Sequence, residues 1–383
     1  MLKDIYDYIK TRNGEDANFL SAVQKQYQRN AVLSNSVIRG LLAPLFTYLK
    51  PKCTVQYIFF SNKYSDILLN LPQGSSCVVG GPKQLGYCLK NKIPLISNMK
   101  YWSVLNNGLS FLTESKDLKH VHDNFLEEIQ PYITSETVFI VDNDSMPMQR
   151  AIIDVMRELK VKICLIQDGL FQSLTPANHI HGWKSDIILC YDEYQKKILE
   201  NKIKTAAKVH VVGFYKSIKF GKISADARKV CFLGQPWYKY GSDYQRRYLE
   251  IYKLVNQVLS EKSVSFKPHP WEKDAPYISE MENIYKGTME QALNDFDCFI
   301  SLTSTALFEA TIAGKLSIQI LDKMFECDDF QQYGYAYSAT MEDVKKGFLN
   351  EIIEYEPING DSACGDKPQQ YIDYFLMKKY MLD

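Results

Sequence analysis

The sequence predicts an α/β protein of two Rossmann-like domains, and three observations carry that prediction. Short apolar runs alternate with helix-period segments along most of the chain, the pattern of a parallel sheet wound with helices. The alternation breaks once, over the polar stretch Lys216 to Arg228, and then restarts. The length of 383 residues is about twice that of a usual domain.

Taken in order, the first half offers strands at Val55 to Phe60, Ser76 to Gly80, Pro94 to Ile96, Val138 to Asp142, Lys162 to Gln167, Ile187 to Tyr191 and Val209 to Val212. Helices are expected between them at Pro82 to Lys90, Pro147 to Leu159 and Glu193 to Asn201. The second half repeats the pattern with strands Val230 to Leu233, Val264 to Lys267, Cys298 to Leu302 and Leu316 to Ile320. Its helices are expected at Tyr244 to Ser260, Glu290 to Asn294 and Ala306 to Ala313. The boundary is set at residues 222 and 223. An aromatic-rich helical segment, Gln369 to Met381, closes the chain, packing in the core or crossing back to the first domain. Open α/β folds bind ligands outside the carboxyl ends of their strands, so the chemistry is expected on the loops there, in a cleft between the domains.

Composition narrows the classes of function. Lys plus Arg and Asp plus Glu are both 45, so no global field draws the chain to nucleic acid or an anionic membrane. A hydrophobic content of 46% with 13% aromatics builds cores and excludes a disordered or collagen-like chain. There is no run of about 18 apolar residues to span a bilayer, and Met1-Leu2-Lys3-Asp4-Ile5-Tyr6 lacks the features of a signal peptide. A cytoplasmic location is expected, with peripheral docking at a membrane open to the segment Tyr371 to Met381. The nine cysteines are scattered without a CxxC pair, which predicts reduced, mostly buried thiols.

Three segments carry candidate chemistry. In Phe266-Lys267-Pro268-His269-Pro270-Trp271-Glu272, directly after a strand, Pro268 and Pro270 stiffen the loop that presents His269. Beside Lys267, such a His suits an anionic phosphate, as a charge-assisted donor or general acid. In Phe299-Ile300-Ser301-Leu302-Thr303-Ser304-Thr305 a strand ends in hydroxyls and runs into a helix carrying Glu309, which suits an anion, although Thr303 or Ser304 could simply cap the helix. In Ile163-Cys164-Leu165-Ile166-Gln167-Asp168-Gly169 a buried strand ends in a carboxylate that could serve as general base, with Gly169 permitting close approach of a ligand; an ordinary Asp-Gly turn is the plainer alternative.

Together with Phe232-Leu233-Gly234-Gln235-Pro236, these segments resemble the bacterial sialyltransferases of GT-B fold, above all the lipooligosaccharide sialyltransferases and polysialyltransferases, loosely from about Val138 to Ile320. The resemblance implies an inverting, metal-independent transfer of sialic acid or a related nonulosonic acid from a CMP-activated donor to a hydroxyl of a surface glycan. It implies Asp168 as base and His269 as the group assisting the departing CMP phosphate. Ser304 and Thr305 would hold that phosphate, with Lys267, Pro270, Glu272, Gly234, Gln235, Ser301, Thr303 and Glu309 around the donor. Gly81, Asp142, Asn143 and Gly169 would face an oligosaccharide acceptor, lipid-linked or free. No cofactor is implied. The sequence departs from the family at Gln167, where an acidic residue is the rule.

Other readings compete. Asp142-Asn143-Asp144 after a strand has the form of a cation and sugar-nucleotide site, or of a helix start with Pro147 in its first turn. A CDP-glycerol or CDP-ribitol phosphotransferase would share the His-Pro and Ser-rich elements and draw a second His from His120, His122, His179, His181 or His210. A glycan- or nucleotide-binding protein without turnover is the third. His179-Ile180-His181 has no neighbouring ligand to complete a metal site, Gly80-Gly81-Pro82 reads as a tight turn, and Trp237-Tyr238-Lys239-Tyr240 suits either core packing or stacking on a sugar or base.

Overall fold

The computed structural model describes residues 36–101, 116–144, 147–171, 184–203, 205–216, 218, 228–272, 274–355, 377 and 379–381. They form two compact units. The first takes in the described residues up to Lys216 together with those near the C-terminus, and the second those from Ile218 to Tyr355. The boundary expected at residue 222, most of the segment Lys216 to Arg228, the pair His179 and His181, and most of Gln369 to Met381 lie outside the described residues.

In the first unit seven strands form one parallel sheet: β1 (Tyr57–Phe59), β2 (Ser76–Gly80), β3 (Leu95–Ser97), β4 (Val138–Val141), β5 (Lys162–Ile166), β6 (Ile187–Cys190) and β7 (Lys208–Val211), in the order β3-β2-β1-β4-β5-β6-β7. Strands read as unbroken apolar runs because both faces of a parallel sheet are covered. Val138, Phe139, Ile140 and Val141 are all buried. Asp142 and Gln167, expected as the last residues of their strands, fall just outside them, the paired register ending at Val141 and Ile166. The described helices are α1 (Ser36–Tyr48), α2 (Ser65–Asn70), α3 (Pro82–Asn91), α4 (Lys116–Ile129), α5 (Pro147–Glu158) and α6 (Glu193–Lys197). α5 buries Ala151, Ile152, Ile153, Val155 and Met156, and its end turns the charged Arg157 and Glu158 to solvent. α6 is shorter than expected and passes into a π-turn over Ile198–Ile203. Near the C-terminus, Tyr380 stacks on His210 of β7, rings 3.9 Å apart and 9° from parallel.

The second unit carries a five-stranded parallel sheet of β8 (Val230–Leu233), β9 (Ser265–Lys267), β10 (Cys298–Ser301), β11 (Leu316–Leu321) and β12 (Tyr337–Thr340), ordered β12-β11-β10-β8-β9. Phe266 adds a single parallel bridge to Ile284 beyond β9. Its helices are α7 (Ser242–Val258), α8 (Met289–Asp295), α9 (Ala306–Ile312), α10 (Met341–Lys345) and α11 (Phe348–Tyr355). α8 opens with a capping box in which Gln291 N–H donates to Thr288 Oγ1 at 3.2 Å and Thr288 N–H to Gln291 Oε1 at 2.8 Å. The core gathers Phe232, Tyr248, Tyr252, Phe266 and Ile300 between helices and sheet. β12, α10 and α11 were not read from the sequence. Tyr-Ser-Ala-Thr is an edge strand of mixed polarity and the two helices are short, so neither period stands out.

Both units are doubly wound in the same way. In each, the chain builds outward on one side of its first strand and then crosses to the other side, so the connections diverge from one point: between β1 and β4 in the first sheet and between β8 and β10 in the second. Loops diverging at such a point leave a crevice at the strands' carboxyl ends. Among the described residues no helix is long and apolar enough to cross a membrane. The described cysteines are free. Burial holds the thiols of Cys77, Cys164, Cys190 and Cys298 far above their ordinary pKa, which makes them inert packing groups.

Candidate functional site

In the first unit the divergence point brings together three strand ends. Lys63, beyond β1, sends its ammonium to Asp142 Oδ2 at 3.4 Å, beyond β4, and into an ion pair with Asp168 Oδ2, beyond β5. Tyr215, beyond β7, donates its hydroxyl to Asp168 Oδ1 at 3.3 Å, and Gln149 of α5 donates to Asp142 Oδ1 at 3.4 Å. Tyr64 donates to the Ile166 carbonyl at 2.5 Å and packs edge-on against Tyr215, centroids 4.9 Å apart. Burial lowers the pKa of Lys63, but the two carboxylates outweigh it and the net shift is upward, so the ammonium stays charged. The cluster is open to ligand: the side chains of Lys63 and Asp168 keep 34% and 31% of their exposure.

Lys63 was not read from the sequence. It stands alone after Ser61-Asn62 with no motif around it, and its partners are 79 and 105 residues away. The neighbouring carboxylate, Asp144, weighed as a metal ligand or helix cap, is turned into the protein. It is fully buried and accepts from the Lys184 and Ser185 amides, each at 3.0 Å, and from Ser185 Oγ at 2.8 Å, holding the approach to β6. The Asp-x-Asp pair is therefore split, and no group of three metal-type ligands occurs among the described residues. Gln167 is also fully buried. Its Nε2 donates to the Gly169 carbonyl at 2.9 Å and to Gln195 Oε1 at 2.5 Å, while its Oε1 accepts from Tyr191 N–H at 2.9 Å. A carboxylate here would set an anion against two acceptors, so the position suits an amide. Gly169 serves as an acceptor inside this network. Asn143 is half-buried in the same turn. Gly81 caps α3 from an extended conformation, its N–H donating to Gln84 Oε1 at 2.9 Å, and so acts as the turn.

In the second unit the divergence point is bridged by one side chain. Gln235, beyond β8, donates from Nε2 to Thr303 Oγ1 at 2.6 Å and accepts at Oε1 from Thr303 N–H at 2.9 Å, beyond β10. Ser301 is fully buried and donates to the Leu233 carbonyl at 2.9 Å, so it joins strands and does not face a ligand. Ser304 Oγ accepts from the Ala306 amide at 3.3 Å, while Thr305, in helical conformation, makes no capping bond with its side chain. Ser304, Thr305 and Glu309 are half-buried around the start of α9.

His269 lies on the loop beyond β9, next to this bridge. Its Nδ1 accepts from the Trp271 amide at 3.1 Å, which leaves the ring proton on Nε2. Desolvation, with the charges of Lys239 and Lys267, lowers its pKa to about 4. At that value the imidazole is a neutral donor at ordinary pH. Lys267 donates to the Gly287 carbonyl at 2.9 Å, bracing the 285–288 turn. Lys239 lies over the exposed Trp271 ring, 4.4 Å from its centroid, and Pro270 is exposed beside it. Of the other histidines, His122 is bonded to Glu158 at 3.0 Å, at the end of α5 and so near the opposite edge of the sheet, and His120 meets Asn124 Nδ2 at 2.9 Å on α4.

No family model and no curated protein matches the sequence. Among solved structures, the chain is similar to the UDP-GlcNAc 2-epimerase of Methanocaldococcus jannaschii in complex with UDP-GlcNAc and UDP, at 14% identity and a TM-score of 0.54, over 82% of this chain and 96% of that one. It is also similar to the UDP-GlcNAc 2-epimerase of Neisseria meningitidis bound to UDP-GlcNAc, at 13% identity and a TM-score of 0.52, over 84% and 96%. At such identity the likeness is one of fold, and it bears out the two Rossmann-like domains of GT-B type.

The same likeness corrects the reading as a sialyltransferase. Similar folds are those of UDP-sugar epimerases, so the lipooligosaccharide sialyltransferase or polysialyltransferase identity, the CMP-sialic acid donor and the surface-glycan acceptor are withdrawn. The physical reason lies in what the motif residues do. Gln235, Ser301 and Gln167 are occupied in holding strand ends together, so short motifs around them follow the fold and do not specify a donor.

Proposed function

We propose that the chain is an enzyme of UDP-activated sugars in the manner of a UDP-sugar epimerase, with a nucleotide site on the second unit and a proton-transfer group, Asp168, on the first. The observation that carries this reading is the gathering of polar side chains from several strand ends at the divergence point of each sheet, in a fold shared with proteins crystallised with UDP-GlcNAc and UDP. On the second unit, neutral His269 offers Nε2–H to a phosphate oxygen, Lys267 contributes positive charge, Ser304 and Thr305 offer hydroxyls, and Glu309 suits the ribose hydroxyls. On the first unit Asp168 is placed as the base for the proton on the carbon that inverts: as that C–H bond breaks, its electron pair expels UDP through the neighbouring C–O bond, and inversion is completed when UDP adds back and a proton returns to the opposite face. Lys63 keeps the Asp168 carboxylate ionised and so ready to accept, and the Tyr215 hydroxyl fixes its orientation.

No step in this scheme uses a metal. The test is incubation of the full chain with UDP-GlcNAc in D₂O, followed by proton NMR. Solvent deuterium is expected at the carbon that changes configuration, with and without EDTA. Calorimetry should show UDP bound more tightly than CMP. Absence of UDP binding, together with absence of deuterium uptake, would overturn the proposal.

A further inference from the structure

Glu272 stands three residues after His269 and was expected near the donor. It is wholly buried, with 0% of its surface exposed, so its carboxylate cannot touch a ligand. Both oxygens are committed inside the protein. Oε2 accepts from the His269 N–H at 2.9 Å and Oε1 from the Tyr277 hydroxyl at 2.5 Å. Its own N–H donates to the His269 carbonyl at 2.8 Å, and its carbonyl accepts from Ala275 N–H at 2.9 Å. Tyr248, whose hydroxyl accepts from the Gln235 N–H at 3.1 Å, lies close enough to this carboxyl that burial first, and then the carboxylate's charge, raise the cost of ionising the phenol. A Cβ on Gly234 would come within 2.1 Å of Oε2. One buried acid thus ties the His269 loop to the Gly234-Gln235 turn that bridges the divergence point.

A buried carboxyl is costly unless its oxygens find donors, and this one accepts from the His269 amide and the Tyr277 hydroxyl while lying against the Gly234-Gln235 turn. A neutral core of the same volume would pack as well and would not fix the imidazole.

We propose that Glu272 is a positioning residue, whose buried carboxyl sets His269 and Gln235 in the mutual orientation that the nucleotide site requires. The proposal rests on the reading of a UDP site above, and the test separates the two. Glu272→Gln keeps the shape but cannot accept from both the His269 amide and the Tyr277 hydroxyl. The full chain would be made as wild type, Glu272→Gln, His269→Ala and the double variant. UDP affinity would be measured by calorimetry, and the imidazole Cε1–H signals of the six histidines by NMR.

Glu272→Gln is expected to remain folded, to weaken UDP binding by about tenfold and to move the His269 signal while those of His122 and His210 stay in place. In the His269→Ala background it is expected to add less than about twofold. A variant that loses thermal stability yet binds UDP like wild type with the His269 signal unmoved would overturn the proposal, as would fully additive losses. If wild type itself binds no UDP, the functional reading falls, and movement of the His269 signal alone decides the positioning role. Should Glu272→Gln fail to fold, Tyr277→Phe, which removes a single donor from the same carboxyl, is read in its place against the same expectations.

Discussion

Asp168 owes its proposed role to what surrounds it: an ammonium on one oxygen, a phenol on the other, and open space beside them. Asp168→Asn is expected to cut deuterium exchange into a UDP-sugar by about 10²–10⁴. Its cost in stability should stay within about 1 kcal/mol, since the ion pair is partly exposed; thermal unfolding beside the exchange assay checks both. Glu272 and His269 predict opposite pH dependences. Burial raises the Glu272 pKa from 4.5 to about 7, so the folded state keeps a proton that the unfolded chain releases. Its stabilising share is full below 4.5 and is lost as pH rises to 7. His269 is lowered from 6.5 to about 4, so its share is full above 6.5 and is lost as pH falls to 4. The two oppose each other between 4.5 and 6.5. His269→Ala should therefore lose stability as pH rises from 4.5 to 7, and Glu272→Gln as it falls from 6.5 to 4. Melting curves across that range measure both, with Tyr248, Tyr277, Lys239 and Lys267 as the ionisable neighbours that act on them.

Strands and loops divide the work differently. The strands are interchangeable apolar rods, and their loops acquire identity from neighbours. Gly234 shows how tight this is: a methyl there would meet Glu272 Oε2 at 2.1 Å and Phe266 Cζ at 2.9 Å. Gly234→Ala is expected to cost about 1–3 kcal/mol and to weaken UDP binding as well, because the methyl pushes on the acid that braces His269; unfolding and calorimetry on one preparation test it. The central strands were readable from sequence because Val138 to Val141, Ile187 to Cys190 and Val230 to Leu233 have no reason to be so apolar unless both faces are covered. Of the proposed site, the sequence offered Asp168, His269 and the Ser304-Thr305 turn as candidates, each beside a clear strand end. Lys63 was hidden because a lone lysine in a polar loop looks like any surface lysine. Asp144 and Ser301 show that a polar residue at a strand end looks the same in sequence whether it serves a ligand or an internal hydrogen bond.

Across the chain, the two sheets repeat one plan, and each sets its polar cluster at its own point of divergence. A ligand that binds only the folded protein adds RT ln(1 + [L]/Kd) to its stability. UDP at about 100 times Kd should therefore stabilise the chain by about 2.7 kcal/mol, read as a rise in Tm that His269→Ala reduces and CMP at equal concentration does not match. An equal response to CMP would return the choice of base to an open question and leave the fold unaffected.

Local pattern was enough to give the fold class, the positions of most strands and the loops on which chemistry could sit, because apolar periodicity records which faces of a segment are covered, and that is set within a few residues. Strand order was beyond its reach. The order places β1 beside β4, and β4 beside β5, and so carries Lys63 to Asp142 and Asp168 across 79 and 105 residues. The same global packing turned Glu272 and Gln167 inward, since whether a polar side chain faces solvent or a buried partner depends on elements far away in the chain.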